Sequence, residues 1–234
     1  PGSYAGAPYS PRPRPKSAFP PLDALAFYLP FHYYYPEWWG IYIKYEGMLY
    51  LAREIMLRES KVPYYNAAYG ARLFLYYLGV SYHKIECFAT RMEMTQRTPC
   101  YKEGFEKHYI KNRDTKDCIE EYLATATALT RTSERMGKRK HAKAICHALD
   151  DIVDGSSPGY KEGVNYAYND NAISERRWKL SEECQHECFP GFPKKRHEIW
   201  ATANYMFNGI ANIRSRVKYI IPFGSSILDR RAFR

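Results

Sequence analysis

His83, Glu86 and Glu93 lie on one stretch, "YYLGVSYHKIECFATRMEMTQ" (Tyr76 to Gln96), together with Cys87 and Arg91. Imidazole and carboxylate groups one helical turn apart can hold a divalent metal. The strongest signature of this kind is H-E-x-x-H on a helix. Its two His share a face as ligands, and the Glu serves as general base toward a metal-bound water. Four positions before His83 stands Gly79, followed by Val80, where the motif needs His and Glu. Shifting the frame by one pairs Leu78 with Tyr82 and leaves Gly79 at the base position. No register restores the box.

Other donor sets remain open. His83, Glu86 and Glu120 would offer one His and two carboxylates, enough for a rearranged metal site and a metal-dependent hydrolase. The plainer alternative makes His83 and Glu86 a buried pair bonded to Arg91 or to backbone, with Glu120 and Glu121 as charges at a helix start. "CQHEC" brings Cys184, His186 and Cys188 together, with His197 downstream, as a soft donor set for zinc. That spacing is too tight for the usual zinc knuckle, which favours loop residues packed against their neighbours. No G-x-S-x-G elbow, P-loop or dinucleotide fingerprint is present.

His83, Lys84, Glu86, Phe88, Ala89, Thr90, Arg91 and Glu93 follow the second half of a helix that reads H-E-x-x-H-H-K-x-E-x-F-A-T-R-x-E. "EEYLATA", with Glu120 and Glu121, "SPGYKEG" and "YIIPFGSSIL" come later in the chain. Together these stretches resemble a bacterial zincin-like metallohydrolase family of ill-defined function, over about residues 25–228. The resemblance implies a metal-binding helix joined by a later carboxylate ligand. In that frame Leu78 replaces the first His, Gly79 the base and Tyr82 the second His. Only Glu120 or Glu121 remains. The resemblance therefore implies a kept fold without catalytic residues, metal or cofactor: a pseudoenzyme.

The elements that must position these residues are mostly helical. "GIYIKYEG" alternates as a strand, and "LDALAFYLPFHYYYPEWWGIYI" (Leu22 to Ile43) reads as strands or an interfacial patch. Helices are expected over Met48–Ser60, about Asn66–Gln96 with a weak point at Gly79, and from a cap at Thr115 or Asp117 to Gly137. Another is expected over "KRKHAKAICHALDDIVDG", basic at its start and acidic at its end, against the helix dipole. "SSPGYKEGVNYAYND" reads as a turn and a short helix, residues 176–200 as mixed and polar, and "VKYIIPFG" as a terminal strand. The fold class is α+β, predominantly helical, with a small sheet. It forms one domain over 22–234 after an extended Pro-rich arm, 1–21, in which Arg12, Arg14 and Lys16 alternate with proline.

With 234 residues, 45% of them apolar, the chain can bury a sizeable core. No apolar run reaches the 18 or more residues that a membrane span needs. The six Cys match no zinc ribbon and are expected as mostly reduced, buried thiols. A net charge of +10 points to RNA, an anionic lipid surface or acidic partner proteins. Its densest cluster is Arg135, Lys138, Arg139, Lys140 and Lys143, and the 23 Tyr favour sticky surfaces. The first residue, Pro1, reads as a processed terminus or an expression remnant. The expected function is a non-catalytic structural or accessory subunit of a large assembly, with other protein subunits as partners. A mitochondrial setting is expected, in the matrix or on the matrix side of the inner membrane, in a respiratory or ATP-synthase complex or a mitoribosome. The alternatives are the rearranged hydrolase and an RNA-binding protein.

Overall fold

A computed structural model describes residues 22–29, 40–95, 107, 110–112, 115–188 and 217–220. In chain order, a one-turn helix α1 (Leu22–Leu25) runs into strand β1 (Ala26–Leu29), and strand β2 (Gly40–Lys44) runs into helix α2 (Tyr45–Arg58). The long helix α3 (Tyr64–Thr95) is followed by α4 (Ile119–Met136), α5 (Ala142–Asp154) and the short α6 (Pro158–Glu162). A 3-10 turn (Gly163–Tyr166), helix α7 (Asp170–Cys188) and strand β3 (Val217–Ile220) complete the order. The molecule is thus predominantly helical with a small sheet, as the periodicities predict.

The sheet has three strands in the order β1-β2-β3. β1 pairs antiparallel with β2, Ala26 opposite Ile43 and Tyr28 opposite Ile41. β3 pairs parallel with β2, Ile41 beside Val217. Alternation divides β2 into two faces. Ile41 and Ile43 are fully buried against the helices, whereas Tyr42 stacks on Phe27 at 5.1 Å on the other face. Because β2 and β3 run parallel, the whole helical body lies between them in sequence.

α3 is the spine of that body. Its 32 residues span about 48 Å at 1.5 Å per residue. It touches α2, α4, α5 and the sheet. The apolar face of α2 (Met48, Leu51, Ala52, Ile55) and that of α5 (Ile145, Ala148, Leu149, Ile152) recur at three- and four-residue spacing and face this core. Each fully buried Leu, Ile or Phe, such as Leu51, Leu75 and Phe74, contributes roughly 1.5–3 kcal/mol.

Gly79 does not break α3. The helix continues through it because a Cβ at Gly79 would collide with Ile41 Cγ2 of β2. Gly70 plays the same part against Ile145 of α5. What the sequence presents as a weak point is where the spine comes closest to the sheet.

Other expectations need correction. Leu22–Leu25 is a helical turn instead of a strand, and α2 begins at Tyr45, three residues before Met48. The residue at the cap position of α4 is Cys118. Thr115 instead closes its own turn, accepting the Asp117 N–H at 3.2 Å and donating to the Asn112 carbonyl at 2.6 Å. α5 begins only at Ala142, because His141 stands before it in the left-handed region at φ 69°. Lys138, Arg139 and Lys140 therefore lie in the α4–α5 turn and not in a helix. The polar stretch after 176 is helical to Cys188. Asn169 starts that helix by accepting the Ala172 N–H at 3.0 Å.

The arm with Arg12, Arg14 and Lys16 lies outside the described residues, as do Cys100 and His197. Among the described residues no helix is long and apolar enough to cross a membrane.

Gly79→Ala is expected to destabilise the fold by about 1–3 kcal/mol through overpacking, although alanine is the better helix former. Combining it with Ile41→Ala should shrink that increment, because the colliding methyl is gone. Denaturant unfolding of the four-member cycle checks this, and strictly additive effects would refute the contact.

Candidate functional site

Of the resemblance's ligand frame, Tyr82 and the start of α4 come together where α3, α4 and α6 converge. Leu78 and Tyr82 are four apart on α3 and share a face. Leu78 is buried in the apolar core. Tyr82 donates a hydrogen bond from its hydroxyl to the Tyr160 hydroxyl of α6 at 3.1 Å. Glu120 and Glu121 open α4 and lie near enough to Tyr82 to act on its charge.

The loop after α5 delivers Tyr160 by a matched spacing. Gly159 and Gly163 are four apart, and so are Glu121 and Thr125 on α4. A Cβ at Gly159 would collide with the Glu121 carboxylate, and one at Gly163 would sit 2.6 Å from Thr125 Cβ. The two glycines thus seat α6 and the 3-10 turn on α4 one helical turn at a time. Thr125 and Thr130 bury their hydroxyls on α4 at little cost, because each donates to the carbonyl four residues back at 2.8 Å. Thr130 Oγ1 also accepts the Tyr168 N–H at 2.8 Å, which helps hold Tyr168 at φ 64°. The Tyr168 hydroxyl donates to Asp150 at 2.8 Å.

Burial favours the neutral forms of two groups here, Tyr82 and Cys118. The Tyr82 phenol is held well above its ordinary value, chiefly by loss of solvation, then by Tyr160, Glu120 and Glu121. Burial also pushes the Cys118 thiol up, and the Glu121 carboxylate adds to the shift. At neutral pH neither group is a nucleophile or a base. Glu121 is 6% exposed and seated against Gly159.

Gly79, at the general-base position, faces Ile41 of the sheet. The side chains of His83, Glu86 and Cys87 lie outside the described residues, and so does any meeting of His83 and Glu86 with Glu120. Cys184, His186 and Cys188 fall on the last turns of α7 and not on a loop. Positions two apart on a helix do not share a face, so this backbone does not gather the three. Among the described residues no group of three His, Cys, Asp or Glu is placed to hold a metal ion. Cys118 and Cys146 are free thiols. In the basic cluster, Arg135 ends α4, Lys138, Arg139 and Lys140 form the turn, and Lys143 lies in the first turn of α5, all exposed.

Reasoning from sequence missed Tyr160, Cys118 and the glycine pair. The G-x-x-x-G of "GYKEG" could have signalled a close approach, but its partner helix could not be read from it. Comparison of the chain with protein-family models, with curated proteins and with solved structures finds no match.

Tyr82→Phe removes the donor of the phenol pair and is expected to cost about 1 kcal/mol, and Tyr160→Phe a similar amount. The double variant should recover part of the sum, with a coupling of about 0.5–1.5 kcal/mol in a denaturant cycle. Zero coupling would show that the hydroxyls do not act on each other.

A phenol whose pKa is higher in the folded chain than in the unfolded one stabilises the fold below the unfolded value of about 10. That contribution is lost as pH rises beyond it. Thermal unfolding should therefore show stability falling above about pH 10, and falling less steeply in Tyr82→Phe than in the parent chain. Parallel curves would contradict the buried phenol.

Proposed function

We propose that this protein is a non-catalytic accessory subunit of a large assembly, built on a metallohydrolase-like frame whose site has been filled. One observation supports this most: Tyr82 stands at the second ligand position of the resemblance and is bonded to Tyr160 beside a seated Glu121. A phenol held protonated, as Tyr82 is, beside a buried carboxylate gives structure and no turnover. Gly79 supports the reading in the same way, since the position that would carry the base is occupied by close contact with the sheet. A mitochondrial assembly is the setting proposed, which the net charge of +10 fits. Other subunits are its partners.

The test is elemental analysis of the native protein together with native sizing. The expected result is no stoichiometric zinc, iron or manganese, and migration in a particle far larger than the free chain. About one equivalent of metal per chain, lost in His83→Ala, would overturn the proposal and restore an enzyme of the His83, Glu86 and Glu120 kind.

A further inference from the structure

The α4–α5 turn carries three cations, Lys138, Arg139 and Lys140, and the first turn of α5 adds Lys143, all four exposed. No acidic residue stands between Glu134 and Asp150 in the sequence. The nearest carboxylate along the chain, Glu134, is already taken by Arg131 at 2.7 Å. Among the described residues none of the four cations forms an ion pair.

The first turns of α3 lie against this turn. Asn66 Nδ2 donates to the Lys140 carbonyl at 3.4 Å, and the Arg139 guanidinium lies 4.7 Å from the centre of the Tyr69 ring. Tyr65 is four residues before Tyr69, on the same face of α3, and is 68% exposed. A large ring left in water beside a guanidinium already stacked on its neighbour makes a flat, cationic, aromatic step. Lone lysines would bind any polyanion. A stacked Arg–Tyr pair extended by an open ring is suited to a planar heterocycle threaded on phosphates.

We propose that Tyr65, Tyr69 and Arg139, with Lys138, Lys140 and Lys143, form a binding surface for single-stranded RNA. Bases stack on the rings of α3 and the phosphates run along the turn. The surface is separate from the Tyr82–Tyr160 cluster and goes beyond the accessory-subunit reading, so either can fail without the other.

The test uses the full chain and a labelled oligoadenylate of about twenty nucleotides, followed by fluorescence anisotropy across a salt series. Log affinity is expected to fall linearly with log salt, by about 0.7 per phosphate contacted. Lys138→Glu combined with Lys140→Glu should weaken binding at least about tenfold and flatten the salt slope. Tyr65→Ala should weaken it roughly tenfold at constant slope, and Tyr65→Phe should restore it. These positions are exposed, and thermal unfolding of each variant confirms that the fold is intact.

No binding at low salt would overturn the proposal. Binding indifferent to Tyr65 would also do so, by reducing the surface to a plain polycation. So would tighter binding to phosphatidylserine vesicles than to RNA through the same lysines, which would make the patch a membrane contact. Tight binding to an acidic protein with none to the oligonucleotide would assign it to a protein partner.

Discussion

A helix of 32 residues can serve as the centre of a small fold only if its neighbours can come close to it. Glycine at two points of α3 allows this. Gly79 lets β2 lay Ile41 on the helix backbone, and Gly70 admits Ile145 of α5. Helix formation alone would favour alanine at both sites by about 1 kcal/mol each. Contact wins over propensity, because a Cβ at either point would push away a fully buried isoleucine. The rest of the architecture follows from these approaches. The sheet is held at one position along the spine and α5 at another, with α2 and α4 beside them.

The same device recurs at the polar cluster with a different result. Gly159 and Gly163 let α6 and the 3-10 turn descend onto α4, and the residue that descends with them is Tyr160. Close approach there packs polar side chains against one another. A working hydrolytic site needs an open coordination position and a base whose pKa lies near that of the medium. Here the groups that approach one another are phenol, phenol, carboxylate and thiol, and burial drives the phenol of Tyr82 and the thiol of Cys118 toward their neutral forms. The arrangement contributes to the fold through the Tyr82–Tyr160 hydrogen bond in the interior, where leaving one polar partner unmatched costs more than the bond gains.

Elements with strong apolar periodicity were legible in the sequence. The faces of α2, α3 and α5, the strand "GIYIK" and the stop at Gly137 all follow from local pattern. What escaped was set by tertiary contact. Gly79 reads as a weakness in isolation and acts as a contact in the fold. Cys118, and not Thr115 or Asp117, stands at the start of α4, because Thr115 spends its hydroxyl on the turn before it. The polar run after 176 hides a helix whose start depends on Asn169, a residue outside the stretch that looked irregular. At the site, Tyr82, Glu120 and Glu121 were singled out from the sequence. Tyr160 was not, since nothing local marks a tyrosine as the partner of another 78 residues away.

Charge is divided along α5 in a way that the fold resolves only at one end. The carboxylates at its C-terminal end, where the dipole is unfavourable to them, have partners inside the molecule. Asp150 accepts from Tyr168 at 2.8 Å, and Asp154 meets Lys161 at 3.2 Å. Asp151 faces His147 at 3.7 Å. The cations around its N-terminal end have no carboxylate partners among the described residues, and Lys143, in the first turn of α5, sits where the dipole disfavours it by about 0.3–1 kcal/mol. Left-handed His141 fixes the turn that holds them, and Arg139 rests on Tyr69. A fold that neutralises one end of a helix and leaves the other charged keeps a local field that water and salt only partly screen over about 8–10 Å. The proposed RNA surface rests on this charge, since bound phosphates would relieve the mutual repulsion of the lysines.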